Sequence, residues 1–307
     1  MDRVPLRGVF PALVTPFTEA GRVDEAGLRR LVRRQIEEGV AGLVPAGTTG
    51  EGATLEPDEH RRVVEVVVEE ARGAPRPVPV IAGAGTASTR KSADLARACR
   101  QAGADALLVV TPYYNKPTPA GLVAHFRTVA EAGALPVVLY DVPGRTGLHM
   151  SAETVLQLAA EEPFIGVKEA SGRLDEVTEI LRHRPEGFAV LSGDDVLTLP
   201  IVALGGEGVI SVVSNEAPRL MAELVAAALA GERDRAAALH ARLFPLMRAN
   251  FVETNPIPVK WALHRLDLIE PHVRLPLVPL SEGARKPVER ALQEVGLLEG
   301  VATGAGR

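Results

Sequence analysis

One lysine stands where a short apolar run ends. Lys168 follows Phe164-Ile165-Gly166-Val167 and is one of only five lysines in the chain. A lysine at a strand end can simply extend its amine into water or pair with a carboxylate such as Glu169. It can also act as a nucleophile, because a neutral amine sheltered from water attacks a carbonyl carbon to form a Schiff base. Side chains alternate along a strand, so Lys168 shares a face with Gly166, which we expect to leave room beside the amine.

A glycine-rich stretch follows another apolar run. In Gly47-Thr48-Thr49-Gly50-Glu51, two glycines flank two hydroxyl residues. Such a stretch can turn N–H groups outward to bind a small carboxylate, or it can be a turn with no ligand. It is not a nucleotide-binding phosphate loop, because no Gly-Lys-Ser/Thr follows it.

Two proline-punctuated loops carry the only three tyrosines. The first is Thr111-Pro112-Tyr113-Tyr114-Asn115-Lys116-Pro117, and the second begins Tyr140-Asp141-Val142-Pro143-Gly144-Arg145. Tyrosine hydroxyls can relay protons, and an arginine can bind a carboxylate through two parallel hydrogen bonds. The alternatives are packing or interface tyrosines, and a surface ion pair for Arg145.

Composition narrows the class of protein. The chain has 307 residues, 46% of them hydrophobic and 24% charged, which excludes wholesale disorder, collagen-like repeats and coiled coil. Its 34 basic and 39 acidic residues give a net charge of −5, so we expect no nucleic-acid or anionic-membrane partner. A single cysteine, Cys99, excludes an internal disulfide, and the N-terminus has no signal-peptide pattern. These features predict a cytoplasmic protein.

Short apolar runs alternate with helical patterns about every 30 residues, which is typical of repeated βα units. The runs are continuously apolar, as expected of parallel strands covered on both faces. Eight such units predict an α/β fold, a (βα)8 TIM barrel, with its chemistry at the carboxyl ends of the strands. The predicted strands are 8–14, 42–46, 78–82, 106–111, 136–140, 164–168, 188–192 and 208–212.

Helix-start signals lie between the runs. Asp24, Glu56-Pro57 and Ser151 each precede an apolar pattern of helical spacing. After the last strand the sequence predicts four helices, at 218–230, 233–251, 258–265 and 281–295. We therefore predict a catalytic barrel at 1–217, a helical appendage at 218–300 that serves assembly, and a tail at 301–307.

Six motifs in order resemble the class I pyruvate-dependent aldolases of the N-acetylneuraminate lyase superfamily, and most closely the dihydrodipicolinate synthase family. The resemblance spans nearly the whole chain. The motifs are Gly47-Thr48-Thr49-Gly50-Glu51, Pro112-Tyr113-Tyr114-Asn115-Lys116-Pro117, Tyr140-Asp141-Val142-Pro143-Gly144-Arg145-Thr146-Gly147, Val167-Lys168-Glu169-Ala170-Ser171-Gly172, Ser192-Gly193-Asp194-Asp195 and Asn255-Pro256-Ile257-Pro258-Val259-Lys260.

The resemblance implies a lyase-type enzyme of diaminopimelate and lysine biosynthesis. Its Schiff-base lysine condenses pyruvate with L-aspartate 4-semialdehyde to give 4-hydroxy-tetrahydrodipicolinate. The protonated imine withdraws electrons, so no metal or organic cofactor is needed. By the same resemblance the chain assembles as a homotetramer, a dimer of dimers.

The resemblance also assigns catalytic roles. Lys168 is the nucleophile, and Tyr140 donates and accepts protons beside the imine. Thr48 connects Tyr140 to Tyr114, which enters from the neighbouring subunit.

The same family pattern assigns the residues that bind substrate. Thr48 and Thr49 bind the pyruvate carboxylate, and Gly193 and Ile210 line the pocket through their main chains. Arg145 binds the carboxylate of aspartate semialdehyde. Asp141 stands where the family often has Asn, a departure that could alter substrate preference.

Two alternatives to this function remain open. One is another pyruvate-dependent aldolase of the superfamily that acts on a sugar acid or 2-keto acid, although those relatives usually carry an apolar residue in place of Arg145. The other is a binding protein that has kept the fold without the chemistry. Feedback inhibition by lysine is predicted to be weak or absent, because Lys91, Ala87 and Pro57 replace the glutamate, asparagine and histidine of inhibited relatives.

Overall fold

A computed structural model describes residues 4–299 of the chain. Seven parallel strands form one sheet in the order β1-β7-β6-β5-β4-β3-β2. Two single-residue bridges close this sheet into a barrel: Val44 pairs with Ala12 beyond β1, and Leu43 pairs with Val80 before β2. The strands are β1 Gly8–Pro11, β2 Ile81–Gly83, β3 Ala106–Val110, β4 Val137–Asp141, β5 Phe164–Glu169, β6 Ala189–Ser192 and β7 Gly208–Ser211.

The predicted TIM barrel is confirmed, with a correction to its second predicted strand, 42–46. That segment contributes only the bridges at Leu43 and Val44. Pro45 has no N–H to donate to a neighbouring strand, so only its carbonyl takes part in the pairing, accepting from Gly83 N–H. The segment still closes the barrel, because Leu43 N–H donates to Pro79 O and Val44 N–H donates to Pro11 O.

Helices surround the barrel, and the predicted start signals act as helix caps. The Asp24 side chain accepts from Gly27 N–H, Ser151 caps the sixth helix, and Glu56 forms a capping box with Glu59. The helices are α1 Glu25–Glu37, α2 Pro57–Gly73, α3 Thr89–Gln101, α4 Pro119–Gly133, α5 Pro143–Thr146, α6 Ala152–Ala159, α7 Leu174–His183, α8 Thr198–Ala203, α9 Pro218–Leu229, α10 Arg233–Ala249, α11 Ile257–Arg265 and α12 Glu282–Val295.

The core has separate layers inside and outside the barrel. Phe10, Leu108, Val138, Leu191 and their neighbours fill the lumen. A larger cluster packs the outer face of the strands against the surrounding helices. Helix α9 packs on β1 and β7, and α10 and α12 extend that contact outward. Alternate residues of one strand therefore face either the lumen or the helices, which decides where each polar side chain at a strand end points.

The sequence also predicts four C-terminal helices and a terminal tail. The four predicted C-terminal helices are present as α9 to α12. The predicted tail, 301–307, lies outside the described residues. Within the described residues, no helix is both long enough and apolar enough to span a membrane.

Candidate active site

Lys168 and Tyr140 are neighbours at the carboxyl ends of β5 and β4. The sheet register pairs their Cα positions directly. The Lys168 Nζ lies 4.2 Å from the centre of the Tyr140 ring. Both side chains are buried, at 5% and 6% exposure. Tyr140 belongs to the lumen cluster, so the amine stands at the mouth of the barrel with an aromatic hydroxyl residue beside it.

The glycine that makes room for Lys168 is Gly193. A Cβ on Gly193 would lie 3.1 Å from both Cγ and Cε of Lys168, whereas a Cβ on Gly166 would meet Ala189 and Leu6. The expectation that Gly166 leaves space for the amine is therefore wrong. The lysine side chain extends towards the carboxyl end of the barrel, away from Gly166 and over the turn that follows the next strand.

Two other predicted site residues lie close to these elements. Ile210, in β7, is fully buried in the lumen and belongs to the same apolar cluster as Tyr140. Thr49 is 2% exposed, and its Oγ1 accepts a hydrogen bond of 3.0 Å from Asn255 Nδ2. That bond occupies an acceptor position of the hydroxyl, so the Thr49 O–H is left to donate to a carboxylate.

A buried ion pair holds the glycine-rich loop in place. Lys260 and Glu51 form a buried ion pair, with side chains 0% and 1% exposed. Lys260 also donates to His272 O, and Glu51 accepts from the backbone N–H of Arg274. Burial lowers the pKa of Lys260 to about 8 against the opposing effect of Glu51. These contacts fasten the loop that carries Thr49 to the last part of the chain.

Asn255 joins the two predicted carboxylate-binding residues. Its side chain donates to Thr49, and its carbonyl accepts from Arg145 Nη2 at 3.2 Å. Arg145 is an exposed residue, so solvent reaches its side chain. Sequence reasoning gave Asn255 no role, although the residue opens one of the six motifs.

Tyr114 and Thr48 are not joined to Tyr140 within residues 4–299. No hydrogen bond links these three side chains in the described part of the chain, and Thr48 is half-buried. Tyr114 is 92% exposed and has a left-handed backbone, with φ of 72°. The proton relay predicted through Tyr114 therefore requires a group from outside this chain's own fold.

Of the positions that replace the effector-site residues of inhibited relatives, Ala87 and Lys91 lie at the start of α3, and Pro57 is the first residue of α2. Lys91 is exposed in the first turn of α3, and Ala87 O accepts from Asn115 Nδ2 at 2.9 Å. His60 is buried, its Nε2–H donates to Gly83 O at 2.7 Å, and burial lowers its pKa. Among the described residues, no cluster of three or more His, Cys, Asp or Glu side chains is arranged to hold a metal ion.

The fold and the lysine at its mouth define the class of protein, an enzyme of the class I aldolase type. Residues 5–295 match the model of the Dihydrodipicolinate synthetase family, and the chain belongs to that family. A 4-hydroxy-tetrahydrodipicolinate synthase of Maridesulfovibrio salexigens is 51% identical over 293 residues, which cover 95% of this chain and 99% of the relative.

Solved structures agree in fold. The dihydrodipicolinate synthase of Thermotoga maritima has a TM-score of 0.92 at 44% identity and covers 95% of this chain and 99% of its own. A structure described as the first monomeric dihydrodipicolinate synthase variant also has a TM-score of 0.92, at 45% identity. It covers 95% of this chain and 97% of its own. Similar chains thus include one that is monomeric.

Proposed function

We propose that this enzyme condenses pyruvate with L-aspartate 4-semialdehyde to form 4-hydroxy-tetrahydrodipicolinate, in the route to diaminopimelate and lysine. The observation that carries the proposal is the buried Lys168 amine held 4.2 Å from the Tyr140 ring at the barrel mouth. An amine in that position is sheltered and has a proton-transferring group beside it, as Schiff-base chemistry requires.

The reaction begins with the Lys168 amine. Its lone pair attacks the ketone carbon of pyruvate, and loss of water gives a protonated imine. The imine withdraws electrons, so a methyl proton leaves and an enamine forms. The enamine carbon attacks the aldehyde of the second substrate, whose oxygen takes up a proton. The substrate amine then attacks the imine carbon, closes the ring and releases Lys168. We assign the proton transfers to Tyr140, with Thr48 and Tyr114 as its relay.

Carboxylate recognition is divided between two elements. We assign the pyruvate carboxylate to Thr48 and Thr49, because the Thr49 hydroxyl already accepts from Asn255 and has its proton to donate. We assign the second carboxylate to Arg145, whose guanidinium is fixed at one nitrogen by Asn255 O and open at the others. Gly193 and Ile210 shape the pocket around the imine.

Reduction with borohydride in the presence of pyruvate tests the nucleophile. The wild-type chain should gain a reduced pyruvate adduct on Lys168, and Lys168→Ala should gain none. An adduct-free wild type would overturn the Schiff-base assignment and favour a binding protein on the same fold.

A coupled assay tests the second substrate. Arg145→Ala should still form the adduct but lose turnover with aspartate semialdehyde. Faster turnover of a sugar acid or another 2-keto acid by the wild type would favour a different aldolase.

We further propose that the enzyme is a homotetramer, a dimer of dimers, that works in the cytoplasm. The support is Tyr114, which has a strained left-handed backbone and a side chain 92% exposed. Such a conformation is expected to gain its compensation from a neighbouring subunit.

Mixing two inactive variants tests this arrangement. After random reassociation of Lys168→Ala with Tyr114→Phe, about a quarter of the sites should combine an intact lysine with an intact tyrosine from the partner. No recovery of activity, or a monomer by light scattering, would contradict the proposal.

A further inference from the structure

Asp141 directly follows Tyr140 in β4 and points away from it. Because side chains alternate along a strand, Tyr140 faces the lumen while Asp141 faces the helices, where it is 1% exposed. In the sheet register its neighbour is Glu169, which follows Lys168. Asp141 therefore cannot touch a substrate in the barrel mouth, although it is attached to a residue that can.

Both carboxylate oxygens of Asp141 are used at the far end of the loop that begins beside it. Oδ1 accepts from the backbone N–H of Met150 at 3.0 Å, and Oδ2 lies 2.7 Å from His149 Nδ1. Residues 142–148 leave β4 and return to the same carboxylate. A single side chain thus joins the start of this loop to its end.

Arg145 lies in the middle of this closed loop. Internal hydrogen bonds shape the loop: Arg145 N–H donates to Val142 O, and Thr146 Oγ1 donates to Leu148 O. These bonds fix the form of the turn, but they do not attach its far end to β4. The Asp141 carboxylate makes that attachment, in a buried setting where an ionic hydrogen bond is strong.

On the other side of its ring, His149 lies near helices α6 and α7. His149 Nε2 lies 3.7 Å from Glu176 Oε1 in α7, and Glu176 Oε2 accepts from the N–H of Ala152 in α6. The exit of the loop is therefore hydrogen-bonded to β4, and its imidazole lies next to the carboxylate that joins α6 and α7. Replacing Asp141 by alanine would remove its hydrogen bonds to His149 and Met150. It would remove no side chain from the lumen.

We propose that Asp141 is a positioning residue for the second substrate: by closing loop 142–150 on β4 it sets where the Arg145 guanidinium stands at the barrel mouth. The proposal rests on the function proposed above, in which Arg145 binds the substrate carboxylate. It assigns no part of Schiff-base formation to Asp141.

The amide variant distinguishes hydrogen bonding from charge. In Asp141→Asn, Oδ1 can still accept from Met150 N–H, and Nδ2 can donate to His149 Nδ1. The imidazole then carries its proton on Nε2, which faces Glu176. Asp141→Asn should therefore keep the loop closed, whereas Asp141→Ala cannot.

Steady-state kinetics of Asp141→Ala, Asp141→Asn and Arg145→Ala test the proposal. Loss of ionic hydrogen bonds that hold a substrate-binding arginine should raise the KM for aspartate semialdehyde about tenfold in Asp141→Ala. The rate of borohydride trapping with pyruvate should stay at the wild-type value. Asp141→Asn should restore the KM to within about threefold of wild type.

Asp105→Ala is the matched control. Asp105 also accepts a backbone N–H, from Val80 at 2.8 Å, but it lies at the opposite, amino end of β3. Its loss should lower stability and leave the KM for aspartate semialdehyde unchanged. Thermal unfolding of each variant separates these effects from global loss of structure, and His149→Ala offers a milder opening of the loop if Asp141→Ala does not fold.

A double variant gives the decisive result. If Asp141 acts through Arg145, Asp141→Ala should not raise the KM further in the Arg145→Ala background. Additive effects, or a fall in kcat and trapping rate with an unchanged KM, would overturn the proposal. If Arg145→Ala alone matches the wild type, it is the assigned role of Arg145 that fails, and a KM effect of Asp141→Ala would then have to arise elsewhere.

Discussion

Adding one methyl group at Gly193 should disturb the nucleophile more than the fold. A Cβ at this position would lie 3.1 Å from Cγ and Cε of Lys168 and 2.7 Å from the Cβ of Ala170. The Ala170 contact is closer than real Cβ atoms tolerate, and a Cβ cannot rotate away. The turn after β6 or the backbone at Ala170 must therefore shift, and the lysine must adjust to the tighter contact with the new methyl group.

The size of the effect depends on which group moves. Overpacking of a filled core costs about 1 to 3 kcal/mol when the backbone absorbs it. Displacement of a reacting group by about 1 Å costs about a hundredfold in rate. Because the Ala170 contact forces a backbone shift beside Lys168, we expect Gly193→Ala to lose about a hundredfold in kcat/KM and about 1 to 3 kcal/mol of stability.

The assay combines turnover, borohydride trapping with pyruvate and urea unfolding. Gly283→Ala is the matched control, since a Cβ on Gly283 meets nothing within 4 Å and the residue lies in helix α12. It should leave turnover unchanged and raise stability by up to about 1 kcal/mol. Wild-type trapping and kcat/KM in Gly193→Ala would refute the view that this glycine sets the path of the lysine.

Three further measurements follow from the buried and substituted groups. Lys260→Met should lower the free energy of unfolding by about 3 to 5 kcal/mol, because it leaves the Glu51 carboxylate buried without its partner; a loss below about 1 kcal/mol in urea unfolding would contradict this. Burial lowers the pKa of His125 from 6.5 to about 4, so the unfolded chain takes up a proton that the folded chain refuses. Stability should therefore fall as pH drops from 6.5 towards 4, and His125→Gln should show a flatter profile; equal slopes would be inconsistent with that assignment. Lysine should inhibit weakly or not at all, because the Lys91 ammonium repels that of the ligand; half-inhibition below millimolar lysine would oppose this, and Lys91→Glu should increase sensitivity.

Local patterns were enough for most of the barrel. Predicted strand 188–192 appears as Ala189–Ser192, and predicted strand 208–212 as Gly208–Ser211. Continuous apolar runs flanked by helical spacing determine both the type and the approximate bounds of such elements. The segment at 42–46 shows where prediction from apolar runs fails. The length of a strand also depends on which residues can donate backbone hydrogen bonds, and Pro45 cannot.

The site divides in the same way. Lys168 and Tyr140 each end an apolar run, and the sheet register then makes them neighbours. The roles given to them and to the other site residues stay predictions that rest on the family resemblance. Three-dimensional relations were out of reach: the contact between Thr49 and Asn255 spans 206 residues, and no periodic pattern reports it. The expectation that Gly166 rather than Gly193 leaves room for Lys168 fails for the same reason. The direction in which a side chain extends depends on residues that are distant in sequence.

The buried pair of Glu51 and Lys260 also has a bearing on how the enzyme is made. The two residues are 209 positions apart, and Arg274 follows later still. A nascent polypeptide that has been synthesised only as far as β7 contains every strand of the barrel. It does not yet contain Lys260, the partner of Glu51. The loop that carries Thr49 gains these contacts only when Lys260 in α11 and the backbone of Arg274 have been synthesised. We therefore expect a chain that ends before Lys260 to lack the contacts that hold the Thr49 loop.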